Sequence, residues 1–141
     1  MIGIYSGSFD PIHQGHLEII YKALKVFDEI WVVVTKNINK PNQTNLDERV
    51  THIEKFLAKV NNVKVLKNEH QLTADFAKEH NVNFLVRGLR NSDDLKYEIM
   101  LADGNKSVNA NIETVFFISD LPTRQLSSSI IKEINSYQKK E

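Results

Sequence analysis

Short β-branched, apolar runs alternate along the chain with stretches whose apolar residues recur at helical spacing. The run EIWVVVT at 29–35 is continuously apolar, which is typical of a strand buried on both faces of a parallel sheet. From Leu17 to Phe27 the apolar residues are spaced as on one face of a helix, so we predict a helix that begins near Gln14 or Gly15. Between these patterns lie polar, turn-rich segments such as KNINKPNQTN at 36–45, which predict loops.

The same patterns, followed to residue 138, predict alternating strands and helices throughout. The predicted strands are 2–6, 29–35, 63–66, 83–88 and 113–119. The predicted helices run from about 14 to 27, over 46–59 with Asn45 as N-cap, over 73–80, over 92–105, and from Ser127 onward. No internal repeat or low-complexity linker interrupts them. We therefore expect a single α/β domain over 1–141, with a doubly wound five-stranded parallel sheet and helices on both faces.

This fold class also predicts where ligands bind. In doubly wound sheets, ligands lie beyond the carboxyl ends of the strands. The loops that follow the first, second, fourth and fifth strands begin at Ser6, Thr35, Arg87 and Asp120. Residues that bind or convert a ligand are therefore expected in these loops.

Composition narrows the classes of function. Eighteen basic residues balance eighteen acidic ones, whereas a general nucleic-acid binder normally has a basic excess. The absence of cysteine excludes disulfides, thiolate catalysis and cysteine-bound metal. The N-terminal residues lack the pattern of a signal peptide, and no apolar run approaches the ~18 residues of a membrane span. The expectation is a cytoplasmic protein without nucleic-acid or membrane partners.

The loop after the first strand has the composition of a phosphate site. Gly7 lies between two serines with small side chains, and a helix is predicted to begin shortly afterwards. Backbone N–H groups at a helix N-terminus attract anions. His16 falls in the first turn of that helix, where its imidazole can donate to the same anion. His13 either contacts phosphate too or merely caps the turn.

A second cationic loop follows the fourth predicted strand. The sequence RGLR places Arg87 and Arg90 directly after an apolar run. Guanidinium groups at the carboxyl end of a strand are suited to clamping phosphate. The alternative is that they pair with nearby carboxylates such as Asp93 and Asp94. Because both loops are predicted at one edge of the sheet, we favour the clamp.

These motifs resemble those of a known enzyme superfamily. The spacing G-x-x-x-P-x-x-x-G-H in GSFDPIHQGH, from Gly7, resembles the signature of the nucleotidyltransferases related to class I aminoacyl-tRNA synthetases. Within it, HQGH fits the H-x-G-H element that binds the phosphates of a nucleoside triphosphate in that superfamily. The resemblance implies a Rossmann-like sheet.

Three further stretches narrow the resemblance to the phosphopantetheine adenylyltransferase family. They are Lys40 in the loop after the second strand, RGLRNSDDLKYE at 87–98 and LSSSIIKEI from Leu126. Together with the first motif they cover nearly the whole chain. Members of this family transfer AMP from ATP to 4'-phosphopantetheine, giving 3'-dephospho-coenzyme A and pyrophosphate. The alternatives are a CTP-dependent cytidylyltransferase of the same superfamily and a nucleotide-binding module without catalysis.

The resemblance implies roles for individual residues. Ser8, Lys40 and Arg87 would hold the phosphate of 4'-phosphopantetheine, and Thr73 would line the pantetheine side. The catalytic residues would be His16, Ser8, Lys40 and Arg90, with His16 stabilising charge on the α-phosphate. The residues around ATP would be Ser8, Phe9, His16, Gly88, Leu89, Arg90, Glu98, Thr123, Arg124, Gln125, Leu126, Ser127, Ser128 and Ser129.

The resemblance further implies Mg²⁺ as cofactor and a hexamer as assembly. No dedicated carboxylate cage is visible in the sequence, so the metal is expected on phosphate and water. Lys36 competes with Lys40 for the role of phosphate ligand. Three other histidines are expected to be surface or capping groups, and Arg49 to belong to the charged first turn of the second helix.

Overall fold

The described residues form five strands and five helices in strict alternation, in a computed structural model that covers 1–36, 43–120 and 127–138. The strands are β1 (Ile2–Gly7), β2 (Glu29–Thr35), β3 (Val63–Asn68), β4 (Phe84–Leu89) and β5 (Glu113–Ile118). The helices are α1 (Gln14–Ala23), α2 (Leu46–Phe56), α3 (Thr73–Glu79), α4 (Ser92–Val108) and α5 (Ser128–Gln138). The predicted α/β class and the order of elements are confirmed.

The strands form one parallel sheet in the order β3-β2-β1-β4-β5. The chain builds outward from β1 to β3, then returns to add β4 on the other side of β1. The strand order therefore reverses between β1 and β4. In sheets of this kind the ligand crevice lies at that reversal, beyond the carboxyl ends of the strands.

Apolar residues cover both faces of the sheet. The run at 30–34 shows why, because Val32 and Val34 pack in a cluster with α1 and α2, whereas Val33 packs in a second cluster with Phe76 of α3. Successive strand residues point to opposite faces, so a continuous apolar run is what a sheet covered on both sides requires. No helix within the described residues is long and apolar enough to cross a membrane.

The ends of two helices can be compared with those predicted from the spacing of apolar residues. Helix α1 ends at Ala23 rather than at the predicted Phe27, because the N–H groups of Lys25 and Val26 donate to carbonyls only three residues earlier, in tighter turns. These turns still bury the Phe27 ring in the core. Helix α2 begins as predicted, with the Asn45 side chain accepting from the Asp47 and Glu48 N–H groups. Helix α5 buries none of its residues.

Candidate active site

A cavity opens where β1 and β4 part. The two strands pair only at Ile4↔Leu85 and Tyr5↔Val86, whereas β1 continues to pair with β2 as far as Gly7. Beyond Tyr5 the space between the strands holds a cavity of about 490 Å³. Its lining residues are Tyr5, Ser6, Gly7, Ser8, Phe9, His13, Gly15, His16, Glu18, Ile19, Arg87, Gly88, Leu89, Arg90, Asp94, Glu98 and Ser119.

The loop after β1 is held by the Phe9 side chain. Phe9 has φ of 45°, a left-handed conformation that non-glycine residues rarely adopt. Its ring is only 4% exposed and packs edge-on against Tyr5 at 5.2 Å and His16 at 5.0 Å between ring centroids. A Cβ on Gly7 would meet this ring at 3.3 Å. The Phe9 ring is therefore part of the core, although the residue also lines the cavity.

Two histidines make a reciprocal cap at the start of α1. The His13 imidazole accepts from the Gly15 N–H through Nδ1 at 3.1 Å, and the His13 N–H donates to Nδ1 of His16 at 3.1 Å. A Cβ on Gly15 would lie 2.9 Å from the His13 ring, so glycine makes room for this cap. His13 is thus a capping residue that also lines the cavity.

The cap fixes the tautomer of His16. Because Nδ1 accepts a hydrogen bond, the neutral ring carries its proton on Nε2. Burial, and then the nearby His13, lower the pKa of His16 to about 4 from an ordinary 6.5. At neutral pH His16 is therefore an uncharged imidazole that can donate one hydrogen bond from Nε2.

This protonation state predicts a pH dependence of the ligand-free protein. The unfolded chain takes up a proton near pH 6.5, whereas the folded chain resists it down to about pH 4. The free energy of unfolding should therefore fall as the pH drops through that window. An NMR titration of the His16 ring, assigned with a His16→Asn variant, should give a midpoint near pH 4. A midpoint near 6.5 would contradict the neutral assignment.

Arg87 and Glu98 form a two-bond ion pair at the floor of the cavity. Nε donates to one carboxylate oxygen at 2.8 Å and Nη2 to the other at 2.7 Å. Nη1 donates to the Ser6 carbonyl at 3.2 Å, bridging the gap between β4 and β1. The hydrogen bonds to Glu98 hold the pKa of Arg87 above its ordinary value. A guanidinium has five N–H groups, so Arg87 keeps two for an incoming ligand.

Arg90 stands at the mouth of the same cavity. Its side chain is mostly exposed and contacts Asp94 one helical turn further on, with Nε 3.3 Å from Oδ2. The Arg90 N–H donates to the same oxygen at 3.0 Å. An exposed ion pair of this kind contributes little to stability, so Arg90 can leave Asp94 for an anionic ligand at small cost.

The carboxylates around the cavity are already engaged. Glu98 binds Arg87, Asp94 binds Arg90, and Glu18 accepts from the Asp120 N–H. Within the described ranges, no group of three histidine or acidic side chains is arranged to hold a metal ion. A cation in this cavity would therefore find its ligands on a bound phosphate and water rather than in a protein cage.

The structure brings eight of the predicted site residues to one place. Those that line the cavity are Ser8, Phe9, His16, Arg87, Gly88, Leu89, Arg90 and Glu98. Thr73 at the start of α3 and Ser127 to Ser129 at the start of α5 are not among its lining residues. Lys40 and the residues from Thr123 to Leu126 lie outside the described part of the chain.

Two residues near the cavity escaped prediction from the sequence. The sequence predicts Tyr5 only as part of the first strand, yet it lines the cavity. Burial raises the pKa of its phenol to about 12, so the phenol stays neutral. Arg49 lies in the first turn of α2 as predicted, but its side chain is buried and donates to the Ser8 carbonyl, which the sequence does not indicate. The charged neighbours Asp47 and Glu48 concealed this, and only the tertiary fold reveals it.

Comparison with solved structures supports the fold. The crystal structure of a lipopolysaccharide core biosynthesis protein from Thermoplasma volcanium GSS1 is similar, with a TM-score of 0.61 and 19% identity over 83% of this chain and 95% of that one. The nicotinic acid mononucleotide adenylyltransferase of Plasmodium falciparum, solved with NaAD, has a TM-score of 0.61 and 22% identity over 94% of this chain and 70% of that one. These likenesses show the shared fold.

Sequence comparison defines the class and then the family. A sequence model described as cytidylyltransferase-like matches residues 4–134, which places the chain among the nucleotidyltransferases. The phosphopantetheine adenylyltransferase of Mycoplasma mycoides subsp. mycoides SC is 49% identical over 96% of this chain and 97% of its own length. That of Finegoldia magna is 43% identical over 95% of this chain and 82% of its own. The chain belongs to the phosphopantetheine adenylyltransferase family, as its motifs predict.

Proposed function

We propose that this enzyme transfers AMP from ATP to 4'-phosphopantetheine, releasing pyrophosphate and forming 3'-dephospho-coenzyme A. The observation that carries the proposal is the meeting of His16, Arg87 and Arg90 in one cavity at the reversal of strand order. Both substrates are polyanions, and this cavity offers two guanidinium groups, a neutral imidazole donor and a helix N-terminus. Membership of the family supplies the identity of the two substrates.

The chemistry requires little from the protein beyond positioning and charge stabilisation. A phosphate oxygen of 4'-phosphopantetheine attacks the α-phosphorus of ATP in line, and the bond from that phosphorus to the β-phosphate oxygen breaks. The attacking oxygen is already anionic, so no general base is needed. Ser8 and Arg87 orient the acceptor phosphate, and Lys40 is proposed to join them. Holding the reactants in line removes much of the entropic barrier.

His16 is proposed to act on the α-phosphate as charge builds there. Its Nε2 proton is directed by a fixed ring, because the other nitrogen is held by the His13 N–H. A donor that is already oriented costs no reorganisation when the transition state forms. A neutral donor also does not bind the ground-state triphosphate as strongly as a cation would, so its effect falls mainly on turnover.

Mg²⁺ is the proposed cofactor. The engaged carboxylates at the cavity fit a cation that is carried by the nucleotide and by water rather than caged by side chains. When bound, the cation would neutralise triphosphate charge. Around ATP, Phe9, Gly88 and Leu89 offer backbone groups. Glu98 acts through Arg87, and the segment from Thr123 to Ser129 remains the proposed wall on the adenine side.

Pyrophosphate release measured with ATP or CTP, with and without 4'-phosphopantetheine, tests the function. Release is expected only with ATP and phosphopantetheine together. Release that prefers CTP would make the chain a cytidylyltransferase. ATP binding without any release would make it a nucleotide-binding module.

Arg90→Ala should weaken ATP binding. The exposed guanidinium at the cavity mouth can move from Asp94 to a phosphate, where a charge-assisted hydrogen bond contributes about 1.5–3 kcal/mol. We expect the Kd for ATP, measured by calorimetry, to rise roughly tenfold. Asp94→Asn is the matched control, since it frees Arg90 and should not weaken ATP binding. An unchanged Kd in Arg90→Ala would remove this residue from the ATP site.

Self-association in the cytoplasm is also proposed, with a hexamer as the assembly typical of the family. Apolar side chains that a lone subunit leaves in water support it. They are Leu95, Ile99 and Met100 on α4 and Ile130, Ile131 and Ile134 on α5. Exposed apolar patches of this kind mark interaction surfaces. A solution mass corresponding to one chain would contradict the assembly.

A further inference from the structure

Arg49 is a buried cation that joins three backbone segments beneath the cavity. It lies on α2 and is only 3% exposed. Nη1 donates to the Ser8 carbonyl at 2.7 Å and to the Thr35 carbonyl at 3.0 Å, and Nε donates to the Thr44 carbonyl at 3.0 Å. One side chain thus contacts the loop after β1, the end of β2 and the approach to α2.

We infer that Arg49 is a positioning residue, which holds the Ser8 peptide in the orientation that the acceptor phosphate requires. The inference rests on the proposed adenylyl transfer. Arg49 does not line the cavity itself, and its effect passes through Ser8, which does.

The orientation of the Ser8 peptide is the first step of the argument. The C=O and N–H of a trans peptide point in opposite directions. Because the Ser8 carbonyl is fixed on Arg49, the Phe9 N–H is turned away from the guanidinium, to the other side of the loop. The same contact restrains the left-handed backbone of Phe9, a conformation that persists only where its surroundings enforce it.

The charge of Arg49 is the second step. Among the described residues, no carboxylate lies within ion-pair distance of its guanidinium, and its hydrogen bonds all go to backbone carbonyls. Buried charges are normally paired. A cation in contact with the loop after β1 adds attraction for a polyanion that a neutral clamp would not supply.

A second tie supports the same linkage. The Asp10 carboxylate accepts from the Thr44 N–H at 3.0 Å, while Arg49 binds the Thr44 carbonyl. Both polar backbone groups of Thr44 are therefore held, one by the loop after β1 and the other by the residue that clamps that loop. Displacing Arg49 should loosen the β1 loop and the start of α2 together.

Two variants of Arg49 test the inference, with Lys55→Met as matched control. Lys55 lies on the same helix with an exposed side chain, so its replacement removes the same charge without the clamp. Arg49→Met should raise the KM for 4'-phosphopantetheine about tenfold or more and lower kcat about tenfold or more, as expected for a misplaced reactant. Arg49→Lys keeps the charge but not the planar guanidinium that reaches three carbonyls, so it should restore only part of the lost activity.

The KM separates positioning from simple instability. A smaller folded fraction lowers kcat but leaves the KM of the surviving enzyme unchanged. Hydrogen exchange read by mass spectrometry gives a second measurement that does not need activity. In Arg49→Met, peptides covering 6–12 and 43–48 should exchange about tenfold faster, with β5 unchanged. Lys55→Met should match the wild type in both assays.

Two results would overturn the inference. One is a KM for 4'-phosphopantetheine within twofold of wild type in Arg49→Met. The other is exchange at 6–12 and 43–48 no faster than in Lys55→Met. If the wild type itself releases no pyrophosphate from ATP and phosphopantetheine, the proposed function is wrong. The exchange measurement alone then decides whether Arg49 holds the two segments.

Discussion

Replacing His16 by alanine is expected to lower kcat about 100- to 1000-fold while the KM for ATP stays within a few fold, the effect typical of losing one oriented transition-state donor. The reason lies in the hydrogen bond that fixes the ring. Nδ1 accepts from the His13 N–H, so Nε2 is the only donor, and its direction is fixed before substrate arrives. Steady-state pyrophosphate release with ATP varied at saturating phosphopantetheine gives both constants.

His16→Gln separates catalysis from helix capping. Glutamine at this third helical position can accept from the N-cap N–H, as in a capping box, so the thermal unfolding midpoint should lie above that of the alanine variant. Turnover should stay low. The amide oxygen accepts from the cap, and the glutamine side chain then has no donor at the position that Nε2 occupies across the imidazole ring. Recovery of kcat together with the unfolding midpoint would assign His16 a structural role only.

Replacing Glu98 by leucine is expected to reduce the free energy of unfolding by about 3 kcal/mol, because it leaves the largely buried Arg87 without its partner. Glu98 is only 6% exposed and binds Arg87 through both carboxylate oxygens. Urea denaturation followed by circular dichroism measures the change. Lys67→Met, which breaks an exposed pair with Asp47, is the control and should leave the midpoint unchanged.

The double variant Arg87→Met/Glu98→Leu tests whether the pair serves binding as well as stability. An apolar replacement of both partners removes the unpaired charge, so most of the lost stability should return. The KM for 4'-phosphopantetheine should nevertheless stay raised, because the two free N–H groups of Arg87 are gone. If stability and KM both return to wild-type values, Arg87 has no part in substrate binding.

The sequence predicts the fold well because each signal is local. Alternating apolar runs and helical spacing indicate which elements are strands and which are helices. Asn45, predicted as an N-cap, does cap the start of α2. The order of strands is not local. Nothing in a continuous apolar run such as 29–35 says which neighbours it will have, so the reversal between β1 and β4 comes from the structure.

The site divides along the same line. The predicted phosphate loop and the two arginines lie within short motifs, and the structure brings them together. The partner of Arg87 is eleven residues away on a different element, whereas Arg90 pairs with the nearby Asp94, as the alternative interpretation predicts. Arg49 looks from its neighbours like a surface residue. Its burial depends on two loops from other parts of the chain, which no local pattern records.

The short seam between β1 and β4 has a mechanical consequence. Only two residue pairs join the strands there, against six between β1 and β2 and six between β4 and β5. The sheet therefore has two well-paired parts, β3-β2-β1 and β4-β5, which are joined to each other by few backbone pairs. The candidate active site lies where these two parts meet. A nucleotide that contacts both the loop after β1 and the loop after β4 links the two strands where they form no backbone pairs. Substrate binding should therefore reduce the movement of the two parts of the sheet relative to each other, and product release should restore it.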